Sequence, residues 1–163
     1  MLLIVWHSRT GTAQAMARAA FDGASREGPC RMLRADEAFG TAGEEALLAA
    51  SGYLFCCPEN LGAMSGVMKE FFDQAYYPLL GRIEGRPYAT MIAAGTDGAA
   101  AQRQIDRIAT GWRLRRVAEP LIVLTGAQTP EAILAAKGVA AENLLDCCNL
   151  GQGLCGGLAL GVF

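Results

Sequence analysis

Charged side chains are scarce in this 163-residue chain, where Asp, Glu, Lys and Arg make up 18% of the residues. The net charge of −2 at pH 7 favours neither a nucleic-acid binder nor a strongly acidic electron carrier. There is one histidine, and the patterns G-x-S-x-G, G-x-x-x-x-G-K-[ST] and H-E-x-x-H are all missing. The sequence therefore predicts no serine-hydrolase site, no P-loop and no metal site.

The six cysteines form no C-x-x-C pattern, and four of them are neighbours in the pairs Cys56-Cys57 and Cys147-Cys148. Vicinal cysteines are poorly placed to bond each other, so we interpret the set as buried thiols in a reducing compartment. An apolar strand begins at Leu2, which leaves no room for a signal peptide. We therefore expect a cytoplasmic protein.

The last 17 residues carry no charged side chain, but they contain Asn149, Gln152 and five glycines. This tract is too short and too polar for a comfortable membrane span, so we predict a packed closing helix over residues 140–160. Residues 151–156 match G-x-G-x-x-G literally. They follow a helical segment rather than a strand, so we interpret their small side chains as close packing of that helix on a sheet.

Short apolar runs recur along the chain and alternate with helical segments. The five strand candidates are residues 2–6, 30–33, 52–57, 88–94 and 121–124. Continuous apolar runs are typical of strands that are covered on both faces. The alternation predicts one three-layer α/β domain over residues 1–163, with a five-stranded parallel sheet in the order 2-1-3-4-5.

Ligands of such sheets bind at the carboxyl ends of the strands, and the chain is chemically unusual at three of those positions. The first strand ends in the hydroxyl-rich turn Ser8-Arg9-Thr10-Gly11-Thr12. Backbone N–H groups and hydroxyls at the start of the following helix suit a phosphate, although an ordinary helix N-cap explains the turn equally well. The other two turns are residues 58–66 and Gly95-Thr96-Asp97-Gly98.

These turns carry a resemblance to a known family. Ser8-Arg9-Thr10-Gly11-Thr12-Ala13 resembles the T/S-x-T-G-x-T phosphate loop of the flavodoxin-like superfamily. Pro58 to Gly66, followed by Val67-Met68-Lys69-Glu70-Phe71-Phe72-Asp73, resembles a segment of the short NAD(P)H-dependent FMN reductases and quinone reductase-like proteins. The resemblance implies a flavodoxin-like fold and an FMN site formed by Ser8, Arg9, Thr10, Gly11, Thr12, Ala13, Pro58, Glu59, Asn60, Leu61, Gly62, Gly95, Thr96, Asp97 and Gly98.

The same resemblance implies an oxidoreductase in which FMN N5 accepts hydride from NADH or NADPH and a small acceptor such as a flavin or quinone is then reduced. No side chain is expected to act as a catalytic acid or base. Two departures matter: Ala13 replaces the usual last Thr of the phosphate loop, and residues 58–66 and 95–98 contain no Trp or Tyr. An uncovered flavin face favours a reductase over an electron-transfer flavodoxin, and a flavin-free regulatory domain is the third alternative.

Two interpretations are open for each of three further features of the sequence. Asp97 is either a turn former or a carboxylate near the pyrimidine edge that lowers the flavin potential. The tyrosines at 76, 77 and 88 either pack in the core or contribute to a homodimer surface. The arginines at 103, 107, 113, 115 and 116 either form a solvated helix face or bind a partner.

Overall fold

The computed structural model describes residues 1–38 and 40–163. Its strands are β1 (Leu2–Trp6), β2 (Cys30–Arg34), β3 (Gly52–Asn60), β4 (Ala63–Met64), β5 (Pro87–Ala94), β6 (Arg115–Arg116) and β7 (Leu121–Leu124). Its helices are α1 (Thr12–Ala24), α2 (Thr41–Ala49), α3 (Gly66–Leu79), α4 (Ala99–Gly111), α5 (Pro130–Leu134) and α6 (Ala141–Leu160), with a 3-10 turn at Ala35–Glu37.

The main sheet is parallel and runs in the order β2-β1-β3-β5, and both β6 and β7 pair with the far side of β5. The predicted α/β class and the order 2-1-3-4-5 are confirmed, with β7 in the fifth place. The predicted number of five strands is wrong, because the sheet has seven. The two additional strands are the short β6 and the antiparallel β4, which folds back on β3.

Alternating residues of β1 pack on opposite faces of the sheet, as strand geometry requires. Leu3 and Val5 belong to a core that also contains residues of α2, α3 and α4. A group of aromatic rings lies in this core, including Phe55 of β3, Phe71 and Phe72 of α3, and Trp112 at the end of α4. Leu2, Ile4 and Trp6 belong to a second core under α1 and α6. The sheet is therefore the middle of three layers, and its strands are shielded from water along most of their length.

All six cysteines are free thiols. Cys56, Cys57, Cys147 and Cys155 are buried as predicted, whereas Cys30 and Cys148 are partly exposed, so the prediction is wrong for those two. Burial raises the pKa of the Cys57 and Cys147 thiols to about 12. Thiols with so high a pKa are protonated at neutral pH and act as small apolar side chains.

The predicted closing helix is confirmed as α6 and packs mainly against α1. A Cβ atom on Gly151 would lie 2.0 Å from the Ala20 carbonyl oxygen, and one on Gly23 would lie 2.0 Å from that of Cys148. The small residues therefore allow α1 and α6 to cross closely. Gly151 packs against α1, so the predicted packing of Gly151 on the sheet is wrong. Within the described residues, no helix is both long and apolar enough to span a membrane.

Substituting Gly151 tests this crossing. We expect Gly151→Ala to lower the free energy of unfolding by about 2 kcal/mol or more, since the new methyl group meets backbone that cannot move without separating the helices. Gly153→Ala is the matched control in the same helix, because its Cβ would have no neighbour within 4 Å. The control should be neutral or stabilising by about 0.5–1 kcal/mol. Equal urea-unfolding free energies for the two variants would contradict the proposed contact.

Candidate functional site

The turn between β1 and α1 presents the start of a helix to the carboxyl edge of the sheet. Gly11 is the N-cap of α1 in a left-handed conformation (φ 98°), and no side chain caps the helix. The Gly11 N–H donates to Ser8 Oγ at 3.2 Å, which closes the turn upon itself. The amides of the first helical turn have no helical partner, so they and the helix dipole favour an anion at this point.

Thr12 occupies the first position of α1, and its side chain is almost completely buried. Its Oγ1 is one of two buried side-chain polar atoms that lack a hydrogen-bond partner among the described residues. The other is Glu59 Oε1. Both residues line the same cavity, and unpaired buried polar atoms are uncommon in folded proteins, so the pair marks this region of the cavity.

Residues 58–64 form a β-hairpin rather than the predicted loop. β3 continues through Pro58, Glu59 and Asn60, and Asn60 then pairs with Ala63 of β4. Leu61 and Gly62 make the turn with positive φ angles of 53° and 70°. A positive φ is unfavourable for leucine, and the Leu61 side chain is nevertheless fully exposed at the tip.

Three hydrogen bonds fix this hairpin to its neighbours. Ser65 Oγ and His7 Nδ1 lie 2.9 Å apart, which joins the end of the hairpin to the turn after β1. The Met64 N–H donates to Gln104 Oε1 of α4 at 2.9 Å. Glu59 Oε2 accepts the Gly98 N–H at 2.9 Å and so joins the hairpin to the start of α4. The hairpin is therefore held in place before any ligand binds.

The turn after β5 is shaped by glycine. Gly98 is the N-cap of α4 with φ 85°, and a Cβ at this position would lie 2.6 Å from Ile122 Cγ2. Gly95 and Thr96 line the cavity, whereas Asp97 is exposed and does not. Since Asp97 does not line the cavity, its position supports the interpretation as a turn former.

A fourth segment, which the sequence analysis did not include, closes the remaining side. Residues 125–138 follow β7, and the Thr125 and Gly126 N–H groups donate to the carbonyls of Ala94 and Gly95. α5 lies in this segment, and Thr129 caps its N-terminus. Because β7 ends at the same edge of the sheet as β5, its register predicts this contact once the strand order is known.

These four segments enclose a cavity of about 420 Å³. Of the predicted site residues, Gly11, Asp97 and Gly98 do not line it, and the others do. The lining residues that the sequence analysis missed are Ala93, Ala94, Thr125, Ala127, Ile133, Leu134 and Lys137. Among the described residues, no aromatic side chain lines this cavity.

The arginine cluster and the three tyrosines singled out in the sequence lie outside this cavity. In the arginine cluster, Arg113 pairs with Glu84 and Arg116 with Asp106. Among the tyrosines, Tyr88 is buried and donates its hydroxyl hydrogen to Asp106, whereas Tyr77 is exposed. Tyr88 is therefore a core residue, which is the first of its two interpretations.

Comparison with solved structures identifies the fold. A WrbA-like flavodoxin from Agrobacterium tumefaciens matches 94% of each chain at 16% identity with a TM-score of 0.77. The flavodoxin of Megasphaera elsdenii matches 95% of this chain and 98% of its own at 16% identity with a TM-score of 0.71. The fold is therefore flavodoxin-like.

Sequence comparison identifies the family. The model of the NADPH-dependent FMN reductase family matches residues 12–128. The chain belongs to this family, within the flavodoxin-like flavoproteins. A flavodoxin from Aquifex aeolicus is 34% identical over 96 residues, which are 58% of this chain. That match spans half of the length of the relative.

His7 connects the turn after β1 to the hairpin, and it is the chain's one histidine. Burial lowers the pKa of His7, Arg34 and Arg9 lower it further, and Asp36 opposes them. The unfolded chain, with an ordinary histidine pKa near 6.5, therefore takes up the proton at a higher pH than the folded protein does. We expect the folded protein to lose stability as the pH falls through 6.5.

An NMR titration of the His7 imidazole measures this pKa directly, because no other imidazole contributes a signal. Urea unfolding between about pH 7 and pH 5 then compares the wild type with His7→Gln, which should lack this part of the pH dependence. A folded-state pKa at or above 6.5 would show that the imidazole is not desolvated as the structure implies.

Proposed function

We propose that this chain binds FMN in the cavity at the carboxyl edge of the sheet. We further propose that it uses the flavin as an NAD(P)H-dependent reductase of a small acceptor. The observation that carries the first part is the unpartnered Thr12 Oγ1, buried at the uncapped start of α1. The second part is supported by the matched family, whose description is NADPH-dependent FMN reductase.

The residues present fit the phosphate of FMN. Thr12 would donate its hydroxyl to a phosphate oxygen, and Ser8 and Thr10 add hydroxyls on the same turn. The first-turn amides of α1 would donate to the remaining oxygens. Ala13 costs the turn one hydroxyl relative to the T/S-x-T-G-x-T pattern, and these backbone donors compensate for it.

The other half of the cavity fits a flat ring. Pro58, Asn60 and Leu61 would border the flavin on the hairpin side, and Gly95 and Thr96 on the side of α4. Glu59 Oε1 is a buried acceptor without a partner, so a ring N–H is the kind of donor that would satisfy it. FMN would supply the chemistry of hydride transfer when bound, and these residues would hold its ring.

The second candidate is an electron carrier that a protein partner reduces, because the Aquifex aeolicus relative and the solved structures compared above are described as flavodoxins. The absence of aromatic side chains from the described lining favours the reductase. A nicotinamide has to stack on the flavin, and an aromatic residue that covered the ring would block it. Leu61 stands at the rim instead and is fully exposed.

Reconstitution with FMN distinguishes the candidates. We expect apoprotein to bind FMN, and NADH or NADPH added without oxygen to bleach the visible absorbance of the bound flavin rapidly. FMN binding without bleaching by either nucleotide would favour the carrier. Failure to bind FMN would refute the proposed cofactor site and favour a flavin-free domain of the same fold.

Replacing Thr12 by valine tests the phosphate site separately from turnover. In the apoprotein the Thr12 hydroxyl is buried without a partner, so we expect Thr12→Val to leave the unfolding free energy unchanged or higher. The same change should raise the Kd for FMN about tenfold, since one hydrogen bond to a charged group is lost.

Thr90→Val is the matched control for that variant. Thr90 is also buried, but its hydroxyl donates to Gln102 Oε1 at 2.5 Å. Its removal should lower the unfolding free energy by about 1–3 kcal/mol, because a buried acceptor loses its donor. It should not change the Kd for FMN, since Thr90 does not line the cavity. If Thr12→Val destabilised the apoprotein as much as Thr90→Val, the Thr12 hydroxyl would not be free for a ligand.

A further inference from the structure

The segment after β7 lies directly on the turn that precedes α1. The Lys137 N–H donates to the Thr10 carbonyl at 3.2 Å. The Lys137 carbonyl oxygen is 3.9 Å from the position that a Cβ on Gly11 would occupy. The Lys137 backbone is therefore fixed against the proposed phosphate-binding turn, and the residue itself lines the cavity. Sequence reasoning missed it because 127 positions separate it from Thr10 along the chain.

Charge is distributed unequally around the cavity. Among the described residues, its lining contains two cations, Arg9 and Lys137, and one carboxylate, Glu59. Both cations lie on the side of the turn after β1, whereas Glu59 lies on the hairpin and accepts the Gly98 N–H. Arg9 is exposed to solvent and Lys137 is only partly exposed. A ligand with an anionic group at one end fits this arrangement in one orientation, with the anion beside Lys137.

From this arrangement we infer that Lys137 binds the phosphate of FMN and makes the site selective for the phosphorylated flavin over riboflavin. The inference rests on the proposed function and assigns one residue of that site. Lys137 is a binding and specificity residue here and takes no part in hydride transfer.

The ammonium group has the donor it needs for this role. Its Nζ donates to the carbonyls of Ile133 at 2.6 Å and Ala135 at 2.9 Å, at the end of α5. A lysine ammonium has three N–H donors, so a phosphate oxygen can take the third. A hydrogen bond from a cation to a dianion is stronger than one to a neutral carbonyl, so a phosphate oxygen is a favourable acceptor for this donor.

A structural role for Lys137 makes a different prediction. If the ammonium only held α5 through the Ile133 and Ala135 carbonyls, its loss would loosen residues 125–138. Ile133 and Leu134 line the cavity, so FMN and riboflavin would then both bind more weakly. A phosphate contact instead affects FMN alone, because riboflavin lacks the phosphate. The ratio of the two Kd values separates the two roles.

The experiment titrates apoprotein with FMN and with riboflavin, followed by flavin fluorescence, at about 50 mM and about 300 mM NaCl. The variants are Lys137→Met and Lys137→Arg. Lys69→Met is the control, because Lys69 is the chain's other lysine and its ammonium pairs with Asp73 on the exposed side of α3. Urea unfolding of each apoprotein shows whether the variants fold equally well.

We expect Lys137→Met to raise the Kd for FMN about tenfold and to change the Kd for riboflavin less than about twofold. Lys137→Arg should retain most of the FMN affinity, and Lys69→Met should match the wild type. The salt dependence of FMN binding should be weaker in Lys137→Met than in the wild type, because one charge contact is gone.

Equal weakening of FMN and riboflavin, or an unchanged Kd for FMN in Lys137→Met, would overturn the assignment while the wild type still bound FMN. A wild type that bound neither flavin would refute the proposed function itself. The two failures are therefore distinguishable in the same titration.

Discussion

The parallel register of β1, β3, β5 and β7 is the constraint on which the rest of the structure depends. The end of β1 pairs with β3 at Trp6 and Cys56, and the end of β5 pairs with the end of β7 at Ala94 and Leu124, so the carboxyl ends of all four strands reach one edge of the sheet. Helices cover both faces, and the strands are accordingly apolar along most of their length. The polar side chains that line the cavity lie at or after the ends of the strands, and therefore along one rim.

The hairpin after β3 shows how that rim is made rigid. Its hydrogen bonds reach the turn after β1 through Ser65 and the start of α4 through Glu59. A segment held at both sides can keep an unfavourable conformation at its tip, and Leu61 has one, with φ 53°. The surrounding contacts thus hold Leu61 in its unfavourable conformation, with its side chain exposed to solvent at the edge of the cavity. Strained backbone conformations of this kind are found most often at functional sites.

Much of this architecture could be predicted from local pattern. The apolar runs identify the strands that form the order 2-1-3-4-5, and the uncharged tract at the end of the chain identifies α6. The hairpin could not be predicted in this way, since Pro58 lacks an N–H and Leu61-Gly62 has no strong type I′ signal. β4 and β6 are two residues each and are defined only by their partners.

The part of the cavity that could be predicted consists of residues directly after the first, third and fourth predicted strands, which are β1, β3 and β5. The contact of Lys137 with Thr10 was missed because it depends on tertiary structure and leaves no trace in local sequence. The same holds for Gly151, whose place in a G-x-G-x-x-G run says nothing about the carbonyl of Ala20 that it meets. Contacts between segments distant in sequence therefore account for most of what the sequence analysis did not find.

The polar and apolar side chains around the cavity bear on the choice between reductase and carrier. Hydroxyls, free amides and two cations surround one end. The rim also carries Leu61, Ile133 and Leu134, all apolar and all exposed. Apolar side chains at the mouth of a cavity are covered when a flat ligand stacks there, and that burial is favourable. An electron carrier needs only the edge of its flavin to be accessible, whereas a reductase has to admit a second ring over the first. An apolar mouth without an aromatic cover, among the described residues, supports the reductase.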